Sequence, residues 1–424
     1  MILISKTYWL GMPFVYKGEL AAGTEQRPVH LQAADMRWIT GLYYAPVAAV
    51  RQKVAVLVMH PRADFSRHYC IPPFVAAGIP VLGLGTRCLN NDTTAIHEDL
   101  ILDVAAGVQY LRDQGAEKVL LFGNSGGGSL FAFYQAEAEK AVGSRIAQDP
   151  AGKPTKLNMA AMVPADGLIV VSAHAGEGHI LMGCMDPAVV NEGLPLLSSP
   201  ELDMYNPENG FREPPESSSY SAEFLAKFRM AQKARVQRLD DHARALVQDA
   251  REAQETYKSS KGQLDFAARQ QIGRRAAFEP VMTIYRTMAN PKYTDLSLDP
   301  SRRGYGSLFS ERPDLMNFQF TGFGRLLTPA AWLSTWSGLS SNADFCRNIA
   351  QTQVPVLMAN ALRDKEIHPE DAKLMWSAVK SPDCTFLEED AEHYFEPAFG
   401  EKTAPDVDRL MQKVVPWVLE RFGY

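Results

Sequence analysis

The segment KVLLFGNSGGGSLFAFYQ, Lys118 to Gln135, passes from an apolar run through a cluster of glycines around one serine and back to apolar residues. Three kinds of chemistry use glycines placed after a strand. A P-loop requires Lys-Ser or Lys-Thr after its last glycine, and here Gly128 is followed by Ser129 and Leu130. A dinucleotide-binding turn requires Gly-x-Gly-x-x-Gly, and Ser125 stands where the second glycine belongs. The third pattern, Gly-x-Ser-x-Gly, is met by Gly123-Asn124-Ser125-Gly126-Gly127. It puts the serine on a strained strand-to-helix turn, where small neighbours let helix and strands approach closely. A glycine-rich turn with an incidental serine is the structural alternative. The residues available to serve Ser125 decide between them.

A serine hydroxyl is a weak nucleophile; it needs a base, and the base needs an orienting acid. In parallel α/β sheets the loops after the strand ends converge on one crevice, so both partners are expected just after strands. Asp364 follows VPVLMAN within ALRDKEIHP, and His393 follows CTFLEE within EDAEHYFEP. The other histidines considered, His60, His97, His174, His179 and His368, suit turn contacts, helix surfaces or crevice lining. Glu366, Asp390 and Glu392 are nearby carboxylates whose offsets suit a triad less well than that of Asp364.

Taken together, these motifs make the chain resemble the α/β-hydrolases of the esterase and lipase superfamily. Gly-Asn-Ser-Gly-Gly after a strand resembles the nucleophile elbow. Asp364, five residues before Pro369, resembles the acid loop, and His393 before Tyr394-Phe395 the base loop. The order Ser, Asp, His is also that of the superfamily. The likeness covers about Val54 to Ala173 and Val354 to Tyr424. It implies a mostly parallel central sheet covered by helices, with Ser125 as nucleophile, His393 as base and Asp364 orienting the imidazole. It also implies an oxyanion donor at the Gly126 N–H, and a second in the loop after VAVLVM, where relatives often carry His-Gly. This chain has His60-Pro61-Arg62-Ala63 there; Pro61 has no N–H, so the second donor is expected at Arg62, otherwise at Ala63. The activity implied is cleavage of a carboxylic ester through an acyl-enzyme, with no cofactor. The same residues can also open a lactone or hydrolyse a carbon–carbon bond in a ring-cleavage diketone, and a non-catalytic binding protein can keep the fold.

Composition is compatible with that reading. The 424 residues, 46% hydrophobic and 22% charged, suffice for one large α/β domain with surplus for an insertion. A net charge of -6 argues against a nucleic-acid groove and against a basic membrane face. No run approaches the roughly 18 apolar residues of a membrane span. The apolar start, MILISKTYWLGMPFVYKG, has no positive charge before Lys6 and reads as structure rather than as a signal peptide. Cys70, Cys88, Cys184, Cys346 and Cys384 show no paired spacing, so free thiols and a cytoplasmic setting are expected. His174 and His179 are five apart rather than four, so no metal centre is expected.

The elements that must position these residues follow from apolar periodicity. VAVLVM, IPVLGLG, KVLLFG and GLIVVSA are continuous apolar runs, as expected of strands covered on both faces. Between them IHEDLILDVAAGVQYLRDQG carries Leu100, Val104, Val108 and Leu111 on one helical face and stops at Gly115. The alternation resumes with strand VPVLMAN, helix PEDAKLMWSAV, strand CTFLEE and helix VDRLMQKVVPWVLERF. Strands GLIVVSA and VPVLMAN are expected to be sheet neighbours across a mainly helical insertion, so the chain divides into 1–185, the insertion 186–340, and 341–424. The insertion should contain a long helix, about Ala222 to Tyr257, whose seam runs Val236, Leu239, Ala243, Leu246, Ala250, Ala253 and Tyr257. That seam suits packing on its own domain, and a homodimer is the other use for it. The resemblance implies that the insertion lies over Ser125 as a cap, and Trp332 and Phe320 from its aromatic segment are expected to line an apolar substrate pocket.

Overall fold

Runs that are apolar at every position become the centre of a sheet because both faces are covered. The computed structural model describes residues 18–47, 54–397, 401 and 403–423; most of the apolar N-terminal stretch lies outside that set. Eight strands form the main sheet: β1 (Glu25–Gln32), β2 (Trp38–Ala45), β3 (Val54–Val58), β4 (Val81–Leu84), β5 (Lys118–Asn124), β6 (Gly167–Val171), β7 (Val356–Ala361) and β8 (Cys384–Glu389). Their spatial order is β1-β2-β4-β3-β5-β6-β7-β8. Among the described strands of this sheet, β2 runs antiparallel to both its neighbours, β1 and β4. The remaining pairings are parallel.

Helices α1 (Ile71–Ala76), α2 (His97–Asp113), α3 (Gly126–Ala138), α7 (Pro369–Ala378) and α8 (Pro405–Phe422) cover the sheet. The period-two alternation of strands sends successive residues to opposite faces. Ala55 and Leu57 of β3, with Val119 and Leu121 of β5, pack against Leu100, Val104, Val108 and Leu111 of α2. Val54, Val56 and Val58, with Leu120 and Phe122, pack against Phe74 of α1 and Leu410, Val414 and Val418 of α8. Each Val, Leu or Phe among them, fully buried, contributes about 1.5–3 kcal/mol over leaving it in water.

The hairpin β1–β2 was not apparent from the sequence. Its edge strand β1 is largely exposed, and Pro28 is tolerated because an edge strand has a side with no ladder partner.

Strands β6 and β7 are parallel neighbours, pairing Leu168 with Val356 through Val171 with Ala359. The chain between them carries α4 (Glu177–Cys184), α5 (Ala222–Ser259) and α6 (Phe266–Ala277). It builds an apolar cluster of its own, in which Leu181 and Cys184 of α4 meet Val236, Leu239 and Ala243 of α5 and Trp332, Leu333 and Trp336. Ser221 caps α5 by accepting the Phe224 N–H. The first half of the α5 seam is thus buried within its own chain, while Arg238, Asp241, Arg244, Asp249 and Arg251 are exposed. Among the described residues no helix is long and apolar enough to cross a membrane.

Candidate active site

At the end of β5 the chain turns sharply into α3. Ser125, between them, has φ 54° and ψ −126°, a conformation that L-residues rarely adopt. Its N–H donates to the Val171 carbonyl of β6 at 3.0 Å. The preceding Asn124 is fully buried; its amide donates to the same carbonyl at 2.9 Å and accepts from the Tyr69 hydroxyl at 3.2 Å. The turn is therefore held on both sides, and the strain at Ser125 is carried by those bonds. Close approach explains the glycines. A Cβ at Gly123 would lie 2.5 Å from the Gly127 carbonyl, one at Gly127 2.5 Å from the Met59 carbonyl, and one at Gly128 2.5 Å from Ala173 Cβ. Larger residues would push α3 away from β3 and β6.

Asp364 follows β7 and His393 follows β8. His393 Nδ1 lies 2.6 Å from Asp364 Oδ2. The other carboxylate oxygen, Oδ1, accepts the N–H groups of Glu366 at 2.8 Å and Ile367 at 3.1 Å. Both residues are almost completely buried. Burial disfavours the charged imidazolium, but Asp364 more than offsets this, and the His393 pKa is raised above its ordinary value. His393 Nε2 is buried without a partner among the described residues. Ser125, His393 and Tyr394 line one narrow crevice of about 40 Å³ with His60, Arg62 and the apolar side chains Ile180, Leu308, Phe309 and Phe323.

No family model matches the chain, and no curated protein matches it. Solved structures do. DcsB in complex with its substrate analogue superposes with a TM-score of 0.50 at 12% identity, covering 94% of this chain and 100% of that one. The α/β hydrolase GrgF from Penicillium sp. sh18 gives a TM-score of 0.49 at 12% identity, over 94% of this chain and 100% of that one. By its own strand order and serine turn the chain has the α/β-hydrolase fold. In an α/β-hydrolase fold the loop after β3 stands next to the nucleophile turn, and here it departs from expectation.

The N–H groups of Arg62 and Ala63, expected to be the second oxyanion donor or its substitute, both donate to His60 Nδ1, at 3.2 and 3.0 Å. Arg62 is therefore not placed to offer its N–H to substrate; the imidazole bound within the loop consumes it. Accepting twice at Nδ1 requires His60 to carry its proton on Nε2. Burial holds His60 neutral, with its pKa well below the ordinary value. A Cβ on Gly126 would sit 2.6 Å from Glu177 Oε1 and 3.0 Å from His60 Nε2, so both this carboxylate and this donor are beside the first residue of α3. The Gly126 N–H, at that helix start, has no carbonyl within the helix to bond to.

The Arg62 side chain does something else. Its Nε lies 3.6 Å from both Asp92 and the fully buried Glu177, and its guanidinium stacks 5.3 Å from the ring centre of Trp336. Burial opposes ionisation of Glu177, yet Arg62 and the surrounding histidines bring its pKa down to about 2. Burial keeps His174 neutral, lowering it to about 4, so Arg62 is the counter-ion we assign to Glu177.

Two lining residues expected from the sequence lie elsewhere. Trp332 is fully buried and donates its indole N–H to Asp240 at 2.8 Å, serving the core beneath α5. Phe320 is 73% exposed and is not among the crevice residues. Leu308, Phe309 and Phe323 of the same segment take that position. Of the other titratable groups, Asp390 pairs with Arg302 and Arg363 on the surface, and Glu392 is paired with Arg363. Glu366 is buried at the crevice wall, and burial pushes its pKa up to about 8. Glu177 and Tyr394 had no spacing signal that would have marked them.

Proposed function

We propose that the chain is a serine hydrolase that cleaves a carboxylic ester through an acyl-enzyme. The observation that carries this reading is the 2.6 Å His393–Asp364 bond in the crevice that also holds Ser125 on its strained turn. Ser125 Oγ gives up its proton to His393 Nε2 and attacks the carbonyl carbon. Asp364 keeps the Nδ1 proton in place and stabilises the imidazolium. Nε2–H then protonates the leaving alkoxide, and a water, deprotonated by the same nitrogen, releases the acid. The apolar side chains from the chain between β6 and β7, the cap 186–340 in this reading, exclude bulk water from the acyl-enzyme. A panel of aryl and alkyl esters, lactones and a dienoic diketone separates the possible bond types. Turnover confined to lactones or to the diketone would contradict the ester assignment.

The raised His393 pKa sets the pH dependence. The base must be neutral, so kcat/KM falls as pH drops through the pKa of the free enzyme. Because that pKa lies above about 6.5, the unperturbed histidine value, the acid limb should have its midpoint above pH 6.5. A midpoint at or below that value would mean that Asp364 does not dominate the charge felt by His393.

In this mechanism the Gly126 N–H and His60 Nε2–H hold the oxyanion. Loss of one such donor costs about 10²–10³ in kcat. His60→Asn retains an oxygen where Nδ1 accepts the loop N–H groups and removes the Nε2 donor. It should show that loss with little change in KM. Wild-type kcat in a folded His60→Asn protein would restrict His60 to bracing the loop.

A further inference from the structure

Beside the crevice lies a larger cavity of about 370 Å³, and His174, Ile180 and Glu366 line both. Arg229 of α5 and Asn290 face this second cavity. The Arg229 guanidinium donates to the Gly183 carbonyl at 3.0 Å, to Gln232 Oε1 at 2.8 Å and to Asn290 Oδ1 at 3.0 Å. All three acceptors are neutral, and two of its five N–H groups have no protein acceptor among the described residues.

Lys292, the other lysine or arginine on the cavity wall, is already engaged by carboxylates. Lys292 Nζ lies 2.9 Å from Asp299 and 3.7 Å from both Glu370 and Asp371. Asp371 also accepts the His368 N–H at 3.2 Å. Glu366 and His174 are neutral near pH 7, since burial raises the first to about 8 and lowers the second to about 4. Asp371 attracts Arg229 through space without pairing with it, and burial lowers the Arg229 pKa. A guanidinium that is desolvated and lacks a carboxylate partner is stabilised by a ligand supplying one, and its fork suits bidentate capture.

We propose that the second cavity is a carboxylate subsite, so that the substrate is an ester whose acyl chain ends in a carboxylate held by Arg229 while its carbonyl lies at Ser125. This inference rests on the ester-hydrolase reading of the crevice. It names the substrate class as half-esters of dicarboxylic acids, distinct from simple alkyl esters.

The probes are monomethyl half-esters of dicarboxylic acids of four to eight carbons and the same esters with the free acid converted to a primary amide. Calorimetric titration into Ser125→Ala protein removes turnover from the measurement. At one chain length the carboxylate should bind at least tenfold more tightly than its amide. That preference should vanish in Arg229→Gln, and also in Asn290→Asp, which keeps an acceptor for Arg229 and places a carboxylate against it. Equal binding of acid and amide at every length would overturn the proposal, as would a preference that survives Asn290→Asp. Wild-type turnover of a neutral 4-nitrophenyl ester reports separately on the hydrolase reading, so failure of one is distinguishable from failure of the other.

Discussion

Replacing Ser125 by Ala lowers kcat about 10⁶-fold on any ester that the wild-type protein turns over, the scale of loss seen when a serine nucleophile is removed. The substitution deletes one oxygen and leaves the turn's other supports intact, since the N–H bond to Val171 and the Asn124 anchors do not involve the hydroxyl. The variant should therefore be as stable as the parent by denaturant unfolding, which separates lost chemistry from lost structure. His393→Ala should fall as far, and the double variant no further, because the two residues act as one unit. Activity of folded Ser125→Ala within tenfold of wild type would rule out this nucleophile.

Asp364→Asn should lower kcat about 10⁴-fold, through the tautomer of its partner. Oδ1 of Asp364 accepts two backbone N–H groups, so an asparagine would keep its oxygen there and turn its NH₂ toward His393. Nδ1 would then have to accept, leaving the proton on Nε2, where the serine proton must go. Steady-state kcat across the pH range checks this, since titration cannot restore the correct tautomer. A small effect of Asp364→Asn together with a large one of Glu366→Gln would move the acid to Glu366.

What could be read in the sequence was what depends on periodicity and local spacing. Val54–Val58 and Lys118–Asn124 are apolar on both faces because helices cover both, and that pattern needs no tertiary knowledge. The pairing of β6 with β7 across the long intervening stretch was expected from the superfamily resemblance, because apolar runs alone do not say which strands are neighbours. The hairpin β1–β2 escaped because Glu25, Arg27 and His30 punctuate an edge strand that buries little. Side-chain direction was the other limit. An aromatic segment announces an apolar layer but not which residues face a crevice, and Trp332 went to the core while Phe309 and Phe323 reached the site. The Arg62 N–H was lost to His60 by a ring orientation that only coordinates reveal. Arg229 lies on a helix rich in arginines, and only its neutral surroundings set it apart from those in water.

Activation of Ser125 by His393 can be read from intact-mass analysis after exposure to a fluorophosphonate. Such a reagent needs an activated serine and no knowledge of the natural substrate. One adduct per chain is expected, mapped by peptide sequencing to Ser125, and none in His393→Ala. An unmodified wild-type chain, or an adduct on any residue other than Ser125, would contradict it.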